Sequence, residues 1–206
     1  MSSSNRFVKN IILVIFFLAT APLAHAVDLS AFGAMSYSNA SFTPSLSSSA
    51  GTGYGYGATI GFGLVPFFSI ETGVMYLPHS YSAPVTGGTM NFTANAYEIP
   101  LLLRFSPIGL ISINAGGYYG LTSSTPLAFT PTGSSTAIGM TGTNVNDGGL
   151  LFGVSVRVPL LPILKIRGDI MYEYGLINLA SSFSPSTIST QYSRNLDFLL
   201  GLMISI

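Results

Sequence analysis

Cysteine is absent from the 206-residue chain. Without thiols there is no disulfide framework, no thiolate metal site and no N-terminal cysteine to carry a lipid anchor. Charge is scarce too, since 7% of residues are Asp, Glu, Lys or Arg against 48% hydrophobic ones. That is too little charge for the surface of an ordinary soluble domain, and too much apolar content for a disordered chain. Beyond the first 26 residues no stretch stays apolar for 18 residues, which excludes a membrane-spanning helix in the remainder. With Arg6 and Lys9 set aside, five basic residues face seven acidic ones, a net charge of −2. No basic patch is left for a nucleic acid.

What is present begins with a leader. Arg6 and Lys9 precede an apolar run from Ile11 to Ala19 and then Ala24-His25-Ala26. This order of positive, apolar and small residues is that of a secretory signal peptide cleaved after Ala26, and the run is too short to span a bilayer. Residues 1–26 are therefore read as a leader and 27–206 as one exported domain.

Along that domain, segments of period-two alternation recur, each bounded by Gly, Pro or Ser clusters. Eight are counted, at 27–38, 53–64, 68–77, 93–105, 110–122, 148–158, 163–175 and 191–206. Connections after the second, fourth and sixth are short, and the others are long and rich in Ser, Thr, Gly and Pro. Such alternation predicts an up-and-down meander with every long loop at one end.

The two faces of these strands differ sharply. One parity carries Tyr54, Tyr56, Ile60 and Phe62, then Ile70, Val74 and Tyr76, and later Phe152, Val154, Val156, Phe198, Leu200 and Leu202, with Arg194 as its one charged exception. The other carries Glu71, Glu98, Arg104, Arg157, Lys165, Arg167, Asp169, Glu173 and Asp197, nine of the twelve charges left after cleavage, together with Met171. A soluble barrel would turn the charges to water, but barely one per strand among glycines is poor for solubility. In lipid every backbone polar group must be paired internally, so a spanning sheet closes and turns its apolar face outward. The fold class expected is all-β, an eight-stranded antiparallel up-and-down transmembrane β-barrel with charges inside.

Aromatic residues supply a separate check, because interfacial rings belong on the lipid face at strand ends. Tyr37, Tyr54, Tyr76, Tyr97, Tyr119, Phe152, Tyr174 and Tyr192 all lie on the outward parity at the long-loop end, one per strand. Glycines 55, 57, 61 and 63 miss the spacing of a nucleotide-binding loop and are read as room for bulky side chains from across a narrow lumen. Pro100 removes a ladder donor in a barrel without edges, so a bulge is expected near it.

In "YEIPLLLRF" (Tyr97 to Phe105), "NAGGYYGL", "DGGLLFGVSVRV", "YEYGL" and "RNLDFLLGLMISI", the chain resembles the small outer-membrane β-barrel family of the OmpX, OmpA-barrel and PorT-like kind. The resemblance covers nearly the whole exported domain. It implies a bacterial outer-membrane location, surroundings of outer-membrane lipid and lipopolysaccharide, a monomeric state and insertion by the barrel-assembly machinery. It places an assembly signal at Gly201, Ile204 and Ile206, although the final Ile stands where an aromatic is usual.

Chemistry finds little footing. Of the two histidines, His25 falls in the leader and His79, in "PHSYS", is read as an exposed residue at the start of the second external loop with no acid near it in sequence. No catalytic residue, cofactor or metal site is assigned. Glu71 is expected to meet Arg104 diagonally across neighbouring strands. The external loops are polar with Asp147 as their one ionic group, suited to a surface glycan or host ligand. The function expected is non-enzymatic, structural or surface-interacting, with a filled, charge-paired lumen. The alternatives are a narrow channel and a lipid A-modifying enzyme. No peptidoglycan-binding module is expected.

Overall fold

In the computed structural model, the described residues are 27–206 apart from 44, 46, 86, 125, 134–137, 142–145 and 180–189, so the expected leader lies outside them. Ten strands form one antiparallel sheet: β1 Val27–Thr43, β2 Ser49–Val65, β3 Phe68–Val85, β4 Gly88–Phe105, β5 Ile111–Ser124, β6 Pro126–Pro131, β7 Ile138–Thr141, β8 Asn146–Pro159, β9 Leu164–Gly175 and β10 Thr190–Ser205. Eight of them close a ring in the order β1-β2-β3-β4-β5-β8-β9-β10, with β10 pairing back onto β1. The other two form a hairpin, β6 against β7, seated on the outer part of β4 through pairs such as Met90↔Phe129.

Two expectations need correcting. Much of what reads as external loop is strand, since β3 and β4 run on to a tight connection around Gly87, whose φ of +87° suits glycine. The third external loop contains the β6–β7 hairpin. On the opposite end the turns are short, at residues 66–67, 106–110 and 160–163. One of them holds Phe67 at a φ of +74°, uncommon for a residue with a side chain.

No bulge forms at Pro100. The β3–β4 ladder passes from Thr72↔Leu101 to Met75↔Glu98 in unbroken register, and the Thr72 hydroxyl donates to the Pro100 carbonyl at 2.8 Å. The irregularity of β4 lies at Asn95/Ala96, where it faces β5. The glycines of β2 also serve a different purpose from the one expected. A side chain on Gly55 would strike the Tyr76 main chain of the adjacent β3, and one on Gly57 would come within 2.8 Å of the ring of Phe32 on the adjacent β1. Neighbouring strands, not residues across the lumen, take up that space.

The outward face is apolar from rim to rim, as a lipid-facing wall requires, with Leu101, Val154, Leu200 and Leu202 all exposed. The inward face is stacked in tiers. Read along β4 toward the short turns, the buried positions run Phe92, Ala94, Ala96, Glu98, Pro100, Leu102 and Arg104. Along β9 they run Glu173, Met171, Asp169 and Arg167. A polar tier thus lies near each girdle, an apolar tier of Phe32, Met75, Leu77, Leu102, Leu151, Met171 and Leu199 separates them, and Ala40, Phe42, Tyr81, Ala83, Phe92, Ala94 and Leu179 close the outer end. The apolar tiers have no counterpart in the sequence reading beyond Met171.

Candidate functional site

The inner polar tier is a dense ion-pair lattice. Arg104 Nη2 donates to Glu71 Oε1 at 2.7 Å and its Nη1 to Ser155 Oγ at 2.9 Å. Arg167, from β9, grips the same Glu71 with both terminal nitrogens, at 2.9 and 2.8 Å, and Asp169 with Nε at 2.6 Å. Asp169 also accepts from Ser155, which in turn receives Asn114 Nδ2 at 2.6 Å. Ser30 and Thr59 receive Arg167 Nη1 at 3.1 Å each. The forked guanidinium suits this work, because two parallel bonds to one carboxylate fix its plane as well as its charge. Arg157 lies nearer the rim, 3.8 Å from Asp28, and Lys165 donates to Ser205, which donates to Asp28. These two sit apart from the central lattice.

The outer polar tier has a different character. It holds Glu98 from β4, Glu173 from β9, Asp197 from β10 and Asp147 from β8, with His79 of β3 as its basic group. His79 is buried within a strand, and its Nε2 lies 2.8 Å from Glu98 Oε1 while Nδ1 pairs with Ser38 Oγ at 2.9 Å. Asn195 donates to Glu173 Oε2 at 2.7 Å, and the Tyr118 hydroxyl to Asp147 Oδ2 at 3.2 Å. The second oxygens of Glu98, Glu173 and Asp197 find no donor among the described residues. His79, Glu98 and Glu173 bring one ligand-type atom each to within 4.8 Å of one another.

Two sequence readings are therefore overturned. His79 is not an exposed loop residue, and acids far away in sequence surround it. Asp147 is not a loop charge, being buried at the start of β8. Both would have been found by continuing the inward parity past the assigned strand ends, from Glu71 through Met75 and Leu77 to His79, and from Arg157 back through Ser155 and Leu151 to Asp147. The first assigned strand ended at Leu77, just before Pro78, and the second began at Gly148, one residue short of Asp147.

On the outside, Tyr56, Tyr76 and Tyr97 pack in series as tilted rings, with centroids 5.5 and 5.3 Å apart. Tyr37, Tyr54, Tyr97, Tyr119, Phe152 and Tyr174 are exposed at this level, and Tyr76 and Tyr192 are half-buried. Arg194, the exception on the apolar parity, lays its guanidinium 3.7 Å from the Tyr174 ring centre and donates to the Gly175 carbonyl at 3.0 Å, so the charge rides on the girdle. Gly201 sits at the seam, where a side chain would strike the main chain of β1, while Ile204 and Ile206 face outward beside it.

No protein-family model matches the sequence, and no curated protein resembles it closely enough to match. Solved structures do. OprG from Pseudomonas aeruginosa superposes with a TM-score of 0.56 at 11% identity, over 90% of this chain and 98% of that one. The fold is that of a small outer-membrane β-barrel. A major outer membrane protein from Thermus thermophilus matches at a TM-score of 0.54 and 16% identity, over 88% of this chain and all of the other. Ail, the attachment invasion locus protein of Yersinia pestis, solved with the heparin analogue sucrose octasulfate, gives 0.50 and 12%, over 88% and 99%. In all of these the barrel is matched nearly end to end, so the likeness is to a complete wall.

Proposed function

We propose that the protein is an integral barrel of the bacterial outer membrane, exported by residues 1–26, whose lumen is closed to solutes and whose long-hairpin end acts at the cell surface without enzymatic chemistry. The observation that carries this reading is the apolar tier inside the lumen. Leu77, Leu102, Leu151 and Met171 are all but fully buried between the two polar tiers, so among the described residues no continuous polar path joins the ends. Eight strands enclose an interior just wide enough for side chains, and these fill it. Catalysis on lipid is disfavoured for the same reason, because His79 lies beneath the outer apolar cluster, where no lipid headgroup reaches it.

The surface ligand is narrowed by charge. Ail was solved with a polysulfated sugar, but here no Lys or Arg occurs between residues 105 and 156, and Arg194 rides on the girdle against Tyr174. An uncharged glycan or host surface, met through hydroxyls and scattered aromatic rings, fits these hairpins better. Gly201, Ile204 and Ile206 serve as the signal read by the assembly machinery, and lipopolysaccharide surrounds the girdle. The deciding experiment is single-channel recording of refolded protein in planar bilayers. A flat trace is expected, and reproducible conductance steps would replace this reading with a channel.

A further inference from the structure

The outer polar tier poses an electrostatic problem that the protein's own groups leave unsolved. Glu98, Glu173 and Asp197 are each at most 1% exposed. Glu98 and Glu173 each bring a carboxylate oxygen within 4.8 Å of the other and of a His79 ring nitrogen. Two buried carboxylates this near each other repel, and a proton or a cation between them relieves the repulsion. Apolar tiers lie above and below, so solvent screens little of the repulsion, and burying such charge uncompensated is very costly. The inner tier neutralises its acids, Glu71 and Asp169, with Arg104 and Arg167. The outer tier has one imidazole.

The geometry points to a site for a divalent first-row transition-metal ion held by His79 Nε2, Glu98 and Glu173, with Asp197 beside it. Three independent features favour a cation. The free oxygens Glu98 Oε2, Glu173 Oε1 and Asp197 Oδ1 lack donors and are buried in the tier. The ligand-type atoms of His79, Glu98 and Glu173 cluster within 4.8 Å, and His79 Nε2 and Glu98 Oε1, hydrogen-bond partners at 2.8 Å, need to part only to the roughly 3.4 Å that bonds of about 2.1 Å impose on tetrahedral neighbours to admit the ion. Finally, Ser38 binds His79 Nδ1 at 2.9 Å, the second contact by which a metal-binding imidazole is oriented with its other nitrogen facing the ion. One imidazole among carboxylates suits zinc or a similar ion, whereas calcium prefers oxygen alone. The ion would tie β3 and β4 to β9 across the lumen. Because the tier is sealed at both ends, it would enter as the barrel closes.

The test uses the full chain, purified without a histidine tag and refolded in detergent with zinc, with calcium or with chelator. Folding is checked by mobility on unheated gels. After removal of free ion, one zinc and no calcium per chain is expected, with a higher unfolding temperature than the chelator-treated protein. His79 is the one histidine after residue 26, so its imidazole nitrogen resonance reports the ligand directly and should shift at Nε2. H79Q and E173Q should each abolish retention, and S38A, which leaves all ligands in place, should weaken zinc binding by about 10- to 100-fold. Wild type refolded in excess zinc with no retained ion and an unshifted His79 would overturn the proposal. Equal zinc binding by wild type, H79Q and E173Q would overturn it too.

Discussion

Glu71 is held from two walls at once, by Arg104 on the adjacent β4 and by Arg167 on β9 across the lumen, and each of these three residues is at most 2% exposed. Removing one partner leaves the others charged in a medium that screens poorly. Arg104→Ala should therefore cost about 3–5 kcal/mol, the range for breaking a buried pair. The loss would show as a lower midpoint of urea unfolding in micelles, and a wild-type midpoint would mean the lattice contributes nothing to stability. Most of this lattice was legible residue by residue, since alternation says which side chains point inward, and the diagonal Glu71–Arg104 pair follows from aligning Tyr76 with Tyr97. Arg167 was legible only as an inward charge. Its choice of Glu71, nearly a hundred positions away, depends on closure of the ring, which no local pattern encodes. His79 was lost because a proline beside it was read as the end of a strand.

Strands show the same division between periodicity and context. Where Val, Ile, Leu and aromatics alternate with polar residues, the eight wall strands were found near their true places. Their outer ends were not, because "HSYSAPV" and "GTMNF" have the composition of loops although they pair as strands. The β6–β7 hairpin has a structural cause that lies elsewhere in the chain. β5 parts from β4 at the irregularity beside Asn95, leaving the edge of Gly88–Phe92 open, and β6 covers it. An uncovered edge would invite pairing with another chain. The hairpins all extend from one end, which fixes a topology that can be checked on intact cells. Epitope tags after Ser48, Gly87 and Gly133 should be accessible to antibody, and a tag after Pro107, in a short turn at the other end, should not. Labelling at Pro107 alone would invert the barrel.

At the scale of the whole molecule, the lumen is a column of alternating electrical character, with an arginine-rich lattice at one level, grease above it, an acid-rich layer above that, and grease again at the outer end. Such stacking stiffens the wall from within and gives each polar layer a dry neighbour. The wall itself has no beginning or end in space. Val27 donates to the Ile206 carbonyl at 3.0 Å and Ile206 to the Val27 carbonyl at 2.9 Å, so the two ends of the sheet are bonded partners in the same seam as Gly201. The chain order is then only one of several ways to thread the same cylinder. Joining residue 206 to residue 27 through a few glycines and cutting at Gly87 or Gly133 should yield a circular permutant that still migrates as a folded barrel on unheated gels. The same cut within the short turn at Phe67, whose main-chain carbonyl accepts from Ser106 of the next turn at 2.7 Å, should fold less efficiently. A barrel of this kind can donate any one of its surface turns as a new pair of ends, which makes it a cylinder on which a displayed segment can be attached at either of two free ends facing outward.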